Sequence, residues 1–197
     1  GWEWRRLRYV VDQGRGREFD VGARVECLAP SSDDRFVATG SRDGSVRVWD
    51  VQQEKVAHEL RLAGANAYVS ALAFAPSGKQ LAIGSNSPQG YLRLWNLGTG
   101  ESRIFQDPNG HSQAVLHACF SRDGTRLLTA SRDGTAKLWD VESGKPVVTY
   151  LGHSRYVWTA AFSPDETHIA TASEDGTVRL WKTATGEELT TTSVGAR

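Results

Sequence analysis

The sequence has 197 residues, enough for one domain with a buried core. Its 23 basic and 23 acidic residues leave no net charge, which excludes a global field that attracts nucleic acid or an anionic membrane. The 20 glycines and 7 tryptophans stand beside many Ser, Thr and Val residues, and this composition favours an all-β chain of short strands and tight turns.

Residues 1–20 precede the first clear repeat, and we interpret them as the degenerate end of a preceding one. The spacing from Asp12 to Gly16 matches the spacing from Asp140 to Gly144 later in the chain. The sequence does not start with Met and contains none, so we expect it to be a fragment of a longer chain.

A basic run at residues 5–8 lies close to Trp2 and Trp4. Basic and aromatic side chains together can bind phosphates and stack on bases. A truncated strand with one polar face explains the run equally well, so we predict no nucleic-acid partner.

One short pattern recurs four times along the rest of the chain. Its copies are SRDGSVRVWD (41–50), GYLRLWN (90–96), SRDGTAKLWD (131–140) and SEDGTVRLWK (173–182). Successive tryptophans of the pattern are 46, 44 and 42 residues apart, at Trp49, Trp95, Trp139 and Trp181. This period is close to the roughly 40–45 residues of a four-stranded repeat.

Each copy is preceded by two alternating apolar stretches around a polar turn, which is typical of a β-hairpin. In the third repeat this hairpin runs from Val115 to Ser131. A further turn leads into the Trp strand, and another leads into an outer strand such as 145–150. The predicted four-stranded repeats are residues 21–64, 65–109, 110–151 and 152–197.

The repeats resemble the WD-repeat (WD40) β-propeller family, whose pattern is Gly-His before the first strand, Ser or Thr in the second, Asp in the turn and Trp in the third. Two repeats carry the full set, namely Gly110-His111, Ser131, Asp133 and Trp139, and Gly152-His153, Ser173, Asp175 and Trp181. The first repeat has Val21 in place of the His, and the second has Ala65 there and a longer turn. The resemblance implies an all-β propeller of four-stranded antiparallel blades, with about four and a half blades in a partial or open ring.

His, Ser and Asp in one repeat could suggest nucleophilic catalysis. The same residues occur in two successive repeats beside a Trp, however, and an active site is rarely repeated in this way. A hydrogen-bond chain from Trp through Ser and His to Asp would instead satisfy buried polar groups. We therefore predict no catalytic residue and two structural networks, formed by His111, Ser131, Asp133 and Trp139, and by His153, Ser173, Asp175 and Trp181.

Other reactive side chains show no pattern of a site. Cys27 and Cys119 are far apart and are expected to be reduced, and His58, His117 and His168 lack the spacing of metal ligands. The glycines fall in hairpin turns rather than in a phosphate-binding loop. No apolar run approaches the ~20 residues of a membrane span. We predict no metal, cofactor or membrane partner, and a cytoplasmic location.

In propellers that the chain resembles, partners contact the loops that enter the first strand and the turn between the second and third strands. Carried over residue by residue, this rule predicts an interaction face of Arg24, Glu26, Arg42, Tyr68, Ser70, Leu116, Arg132, Tyr156, Trp158 and Glu174, together with the turn at 88–89. Tyr156 and Trp158 are the sharpest candidates because large aromatic residues often anchor interfaces. The alternative is that Trp158 packs against a neighbouring blade.

We expect a non-catalytic scaffold that binds a protein or peptide partner on this face. An alternative is that the blades form the docking or sensory propeller tail of a larger signalling enzyme, such as a bacterial Ser/Thr kinase or NTPase. A third hypothesis, a hydrolase that depends on His153, is disfavoured by the repetition of the same residues. Open blade edges would also favour self-association.

Overall fold

Alternating apolar residues between turns form β-strands throughout the described chain. The computed structural model describes residues 6–10, 16–64, 67–87 and 91–194. The strands are β1 (Arg6–Val10), β2 (Gly16–Asp20), β3 (Val25–Pro30), β4 (Phe36–Ser41), β5 (Ser45–Asp50), β6 (Lys55–Arg61), β7 (Val69–Phe74), β8 (Gln80–Ser85), β9 (Leu92–Asn96), β10 (Ser102–Ile104), β11 (Val115–Phe120), β12 (Arg126–Ser131), β13 (Ala136–Asp140), β14 (Pro146–Tyr150), β15 (Val157–Phe162), β16 (His168–Ser173), β17 (Thr177–Lys182) and β18 (Glu188–Ser193). Within these ranges no helix has the length and apolar character needed to cross a membrane.

Each of the four repeats folds into one antiparallel sheet, which we call blades one to four. Their strand orders are β3–β4–β5–β6, β7–β8–β9–β10, β11–β12–β13–β14 and β15–β16–β17–β18, and β1 pairs with β2 as a separate hairpin. The register is the same from blade to blade, since Trp139 lies opposite Leu127 and Trp181 lies opposite Ile169. These sheets confirm the predicted all-β fold of four-stranded blades.

The turn between the second and third strands of a blade depends on its Asp-Gly pair. In blade three, Gly134 has a φ of +82°, in the left-handed region that favours glycine. Asp133 Oδ1 accepts a hydrogen bond from the backbone N–H of Thr135 at 2.9 Å. A side chain at Gly134 would also approach the carbonyl oxygen of Arg155 in the next blade to 3.3 Å. The turn therefore stays tight and close to blade four.

Neighbouring blades pack through apolar clusters, and the Trp of each blade meets an aromatic ring from the preceding unit. The ring centroids are 5.3–6.0 Å apart in the pairs Phe19–Trp49, His58–Trp95, Phe105–Trp139 and Tyr150–Trp181. Offset or edge-on aromatic pairs of this kind add to the energy of apolar burial. Phe19 of the β1–β2 hairpin contacts blade one in the way that an outer strand contacts the following blade.

Blade four differs from the others in having one uncovered face. Val178 is 36% exposed, whereas Ala136 at the matching place in blade three is buried. All six residues of β18 are exposed. The predicted self-association through blade edges and the predicted repeat boundaries stay predictions. Ala65, the 88–89 turn and the side chains of residues 1–18 lie outside the part of the chain whose side chains are described.

Candidate interaction face

Blade three contains a buried chain of hydrogen bonds that runs from the Trp strand to the turn. Trp139 Nε1 donates to Thr129 Oγ1 at 2.8 Å, and Thr129 Oγ1 lies 2.7 Å from His111 Nε2. His111 Nδ1 lies 2.8 Å from Asp133 Oδ2. These distances bring Trp139, His111 and Asp133, three residues of the predicted network, into one hydrogen-bond chain.

The hydroxyl in the chain is Thr129, which corrects the prediction of Ser131. Ser131 Oγ instead donates to the carbonyl oxygen of Gln113 at 3.2 Å and accepts from the Asp133 N–H at 3.1 Å. Ser131 thus joins the turn to the loop before β11 but does not link Trp139 to His111.

Blade four repeats the arrangement and the same correction. Trp181 Nε1 donates to Thr171 Oγ1 at 2.9 Å, and His153 lies 2.8 Å from Thr171 Oγ1 and 2.9 Å from Asp175 Oδ2. Ser173 bonds the carbonyl oxygen of Arg155 and the turn N–H instead. Sequence reasoning missed the threonine, although a Thr stands ten residues before the Trp in three repeats.

The two end groups of the hydrogen-bond chain in blade three determine which atom donates in each of its bonds. A Trp indole can only donate and an ionised Asp can only accept, so we assign the His111 proton to Nδ1. Burial opposes ionisation of Asp133, but hydrogen bonds from His111 and Thr135 outweigh it and hold the pKa of this carboxyl well below its usual range. Burial also lowers the pKa of His111, although Asp133 opposes this shift. At pH 7 the His111 imidazole is therefore neutral, and it donates a hydrogen bond to the ionised Asp133 carboxylate.

This geometry does not supply an activated nucleophile in either blade. The His111 and His153 side chains are each 1% exposed, and both ring nitrogens of each are occupied by Asp and Thr. The threonine hydroxyl already accepts from Trp and is itself buried. The arrangement is suited to holding strands and turns together.

In blades one and two the Trp makes a shorter set of hydrogen bonds, without a His. In blade one, Trp49 Nε1 donates to Thr39 Oγ1 at 2.9 Å, and Val21 packs against Trp49 where blade three has its imidazole. In blade two, Ile83 occupies the threonine position, and Trp95 Nε1 donates to the carbonyl oxygen of Gly100 at 3.3 Å.

The hydrogen-bond chain in blade three also helps to hold the loops that carry the predicted interaction face. Asp133 Oδ2 accepts from the Ser112 N–H at 3.1 Å, and the Arg132 N–H donates to the carbonyl oxygen of Ala114 at 3.0 Å. The loop entering β11 and the turn after β12 are therefore bonded together. Corresponding backbone bonds join Arg42 to Arg24 at 2.9 Å, and others join Asn86 to Tyr68 and Glu174 to Tyr156.

Seven of the ten predicted face residues line one cavity of about 470 Å³. Every blade contributes to its lining, which consists of Glu26, Arg42, Tyr68, Ser70, Leu116, Arg132 and Trp158. Trp158 is 47% exposed, so it does not simply pack against another blade in the described chain. Arg24, Tyr156 and Glu174 lie outside the lining.

Two groups of contacts organise this cavity. On one side, Glu26 Oε1 lies 3.2 Å from Arg24 Nε and 3.4 Å from Arg42 Nη1. On the other side, the Arg132 guanidinium lies 5.6 Å from the centroid of the Tyr156 ring, and Tyr156 meets Trp158 edge-on at 6.0 Å. Glu174 is turned towards Arg155, at 3.8 Å.

Ser70 has a bonded role between blades. Its hydroxyl donates to the carbonyl oxygen of Val115 in blade three at 2.5 Å. The thiols of Cys27 and Cys119 likewise approach carbonyl oxygens of the next blade, at 3.8 and 3.6 Å. Burial raises the pKa of each thiol to about 12, so neither is activated as a nucleophile.

The isolated histidines do not form a metal site within the described ranges, which hold no group of three His, Cys, Asp or Glu residues suited to a metal ion. His58 contacts Trp95, and His168 lies 2.7 Å from the Thr167 hydroxyl. His117 is partly buried, and burial lowers its pKa.

Comparison with known proteins decides the family. The family described as "WD domain, G-beta repeat" matches residues 18–50, 56–96, 102–140 and 144–182. The chain belongs to the WD-repeat family. Its repeats thus indicate a protein-interaction scaffold.

A curated relative is the Protein LST8 homolog of Drosophila melanogaster, which is 36% identical over 133 residues. That match covers 64% of this chain and 41% of the relative. The chain therefore spans less than half the length of this WD-repeat relative.

Proposed function

We propose that this WD-repeat chain is a non-catalytic scaffold that binds a peptide or protein segment in the cavity across its four blades. The observation that carries the proposal is the convergence of seven predicted face residues from four blades on one cavity. A rigid, preformed cavity loses little ordering entropy when a segment binds, which favours recognition. The proposal includes the cytoplasmic location expected from the sequence.

The aromatic group at the rim supports this role. Tyr156 is 36% exposed and Trp158 is 47% exposed, and the two rings hold each other edge-on. Aromatic and Arg side chains that are already ordered are the usual anchors of protein interfaces. The alternative of a docking tail on a larger signalling enzyme stays a prediction, because it concerns sequence outside this chain.

A capture experiment tests the proposal. Proteins retained by the immobilised chain are compared with those retained by the double variant Trp158→Ala plus Arg132→Ala, and bound partners are mapped by hydrogen exchange. We expect the double variant to lose partners that protect the cavity lining. Val147→Ala is the control, because Val147 is 49% exposed on the outer strand β14 and does not line the cavity. Partners unchanged by the double variant would exclude this cavity as the binding site.

A further inference from the structure

Arg132 is the least satisfied polar side chain of the cavity. Its Nε is buried and lacks a hydrogen-bond partner among the described residues. The contact that the structure gives its guanidinium is the Tyr156 ring, at 5.6 Å from the centroid. A ring face attracts the charge but accepts none of the five guanidinium N–H bonds in the way that an oxygen does.

The carboxylate of the lining is already engaged elsewhere. Glu26 is the acidic residue among the described lining residues, and its Oε1 is held by Arg42 at 3.4 Å and by Arg24 at 3.2 Å. Two guanidiniums and one carboxylate line the cavity, so it carries an excess positive charge that is centred on Arg132. A guanidinium that packs on an aromatic ring keeps N–H donors that an oxyanion from a ligand can accept, and such charge-assisted bonds are the stronger ones.

The remaining walls of the cavity are largely apolar or aromatic. Leu116, Tyr68 and the exposed Trp158 ring belong to the same lining as Arg132. Its volume of about 470 Å³ falls within the range of about 300–1,000 Å³ that is typical of ligand pockets. The chemistry that fits these walls is an oxyanion beside an apolar side chain.

We propose that the cavity selects an acidic segment of a partner protein, with a side-chain carboxylate bound by Arg132 and a neighbouring apolar side chain packed on Trp158. This inference rests on the proposed function, since it names the chemistry that the same cavity recognises. Arg132 is then the residue that determines specificity, because an Arg fork can form two parallel bonds with a carboxylate. Trp158 supplies apolar contact that does not depend on the charge of the ligand.

Selection from a random peptide library on the immobilised chain tests this inference. We expect the selected peptides to be rich in Asp and Glu next to apolar residues. Their affinity should fall about tenfold to a hundredfold for Arg132→Gln, because a charge-assisted hydrogen bond is lost. Arg155→Gln is the matched control, since Arg155 carries the same charge outside the lining and its side chain is 63% exposed. Affinity for this control should be unchanged.

Changes in the peptide keep the test independent of the stability of the variant. Replacing the selected Glu or Asp of a peptide by Gln should weaken binding to the unaltered chain by the same factor. A version of the peptide with phosphoserine at that place shows whether a carboxylate or a phosphate is the better ligand, and a stronger phosphoserine peptide would overturn the carboxylate assignment.

The remaining outcomes separate this inference from the proposed function. Peptides that lose binding to Trp158→Ala but bind Arg132→Gln normally would overturn the acidic partner and leave the cavity as the binding site. A library that yields no peptide dependent on either residue would overturn both.

Discussion

Blades two and three bury a tryptophan at the same register position with different polar partners. Trp139 is 1% exposed and belongs to a four-residue hydrogen-bond chain, whereas Trp95 is 3% exposed and donates to a backbone carbonyl of its own blade. Apolar packing against the preceding aromatic ring is common to both. A blade can therefore bury its Trp without the four-residue hydrogen-bond chain.

The difference lies in how the loop entering the first strand is held. In blade three, Asp133 accepts from the Ser112 N–H at 3.1 Å. In blade two, Asn86 Oδ1 accepts from the Tyr68 N–H at 2.7 Å. Both bonds hold the loop that carries face residues, so two different side chains perform one structural task.

The largest effect on this comparison should come from His111→Ala. Its removal leaves Asp133 Oδ2 and the Thr129 hydroxyl without the imidazole that joins them, and we expect the free energy of unfolding to fall by about 3 kcal/mol. Urea unfolding at pH 7 measures the change. His58→Ala in blade one is the control, because it removes an edge contact with Trp95 of blade two, and about 1 kcal/mol or less should be lost. Equal losses from His111→Ala and His58→Ala would show that the hydrogen-bond chain adds no stability beyond packing.

Thr129→Val should reduce the free energy of unfolding by about 2 kcal/mol, because a buried indole N–H and an imidazole nitrogen lose their partner at nearly constant volume. Ser131→Ala should cost about 1 kcal/mol, since it removes only bonds to the turn and the Gln113 carbonyl. Chemical denaturation of both variants beside Thr129→Ser, which keeps the hydroxyl, measures the difference. A larger loss from Ser131→Ala would restore Ser131 as the link.

Stability should also depend on pH through blade three. Because burial lowers the pKa of His111 in the folded state, its contribution is fully present above the unfolded value of 6.5 and is lost as the pH falls towards the folded value. The free energy of unfolding should fall by up to about 1.4 kcal/mol per pH unit below about pH 6.5 for each such histidine. The Asp133 contribution is lost only at lower pH, since its folded pKa lies below the ordinary 3.8.

Urea unfolding between pH 7 and 5 measures this slope. Burial gives His117 a shift of the same sign, so His117→Asn is measured beside His111→Ala. An unchanged slope in His111→Ala would assign the pH dependence to another group.

The smallest effect is expected from Ile83→Thr, which places a hydroxyl where blade three has Thr129. Ile83 is 1% exposed, and losing its apolar atoms costs about 1.5 kcal/mol. Trp95 Nε1 already donates to the carbonyl oxygen of Gly100 at 3.3 Å, so a bond to the new hydroxyl would replace that bond and return part of the cost, and a net loss of about 1 kcal/mol is expected. Thermal unfolding measures it, and a clear gain in stability would mean that a hydroxyl alone improves blade two.

Much of the fold follows from local patterns that repeat along the chain. A Trp every 42 to 46 residues, two alternating hairpin strands and an Asp-Gly turn are enough to predict four-stranded blades. The His and Asp of the hydrogen-bond chain, and the positions that flank the first Val of each blade, also follow from the family pattern. Apolar alternation and turn chemistry are properties of neighbouring residues, so they can be read from one segment at a time.

The choice between Thr129 and Ser131 needed the tertiary structure. Side chains two residues apart on a strand lie on the same face, so alternation cannot distinguish them. Strand register decides, because it brings Thr129 rather than Ser131 within 2.8 Å of Trp139 Nε1.

The sequence by itself determined the four repeated blades of the described chain, and the family resemblance predicted which loop positions lie at one end of each blade. Only the tertiary structure decided which of those residues share a cavity, that Glu26 is already bound by two arginines, and that Arg132 meets Tyr156 of the next blade. Apart from the local Arg24–Glu26 pair, these facts depend on distances between residues at least sixteen positions apart. Such distances are set by the packing of one blade on the next, which no single repeat encodes.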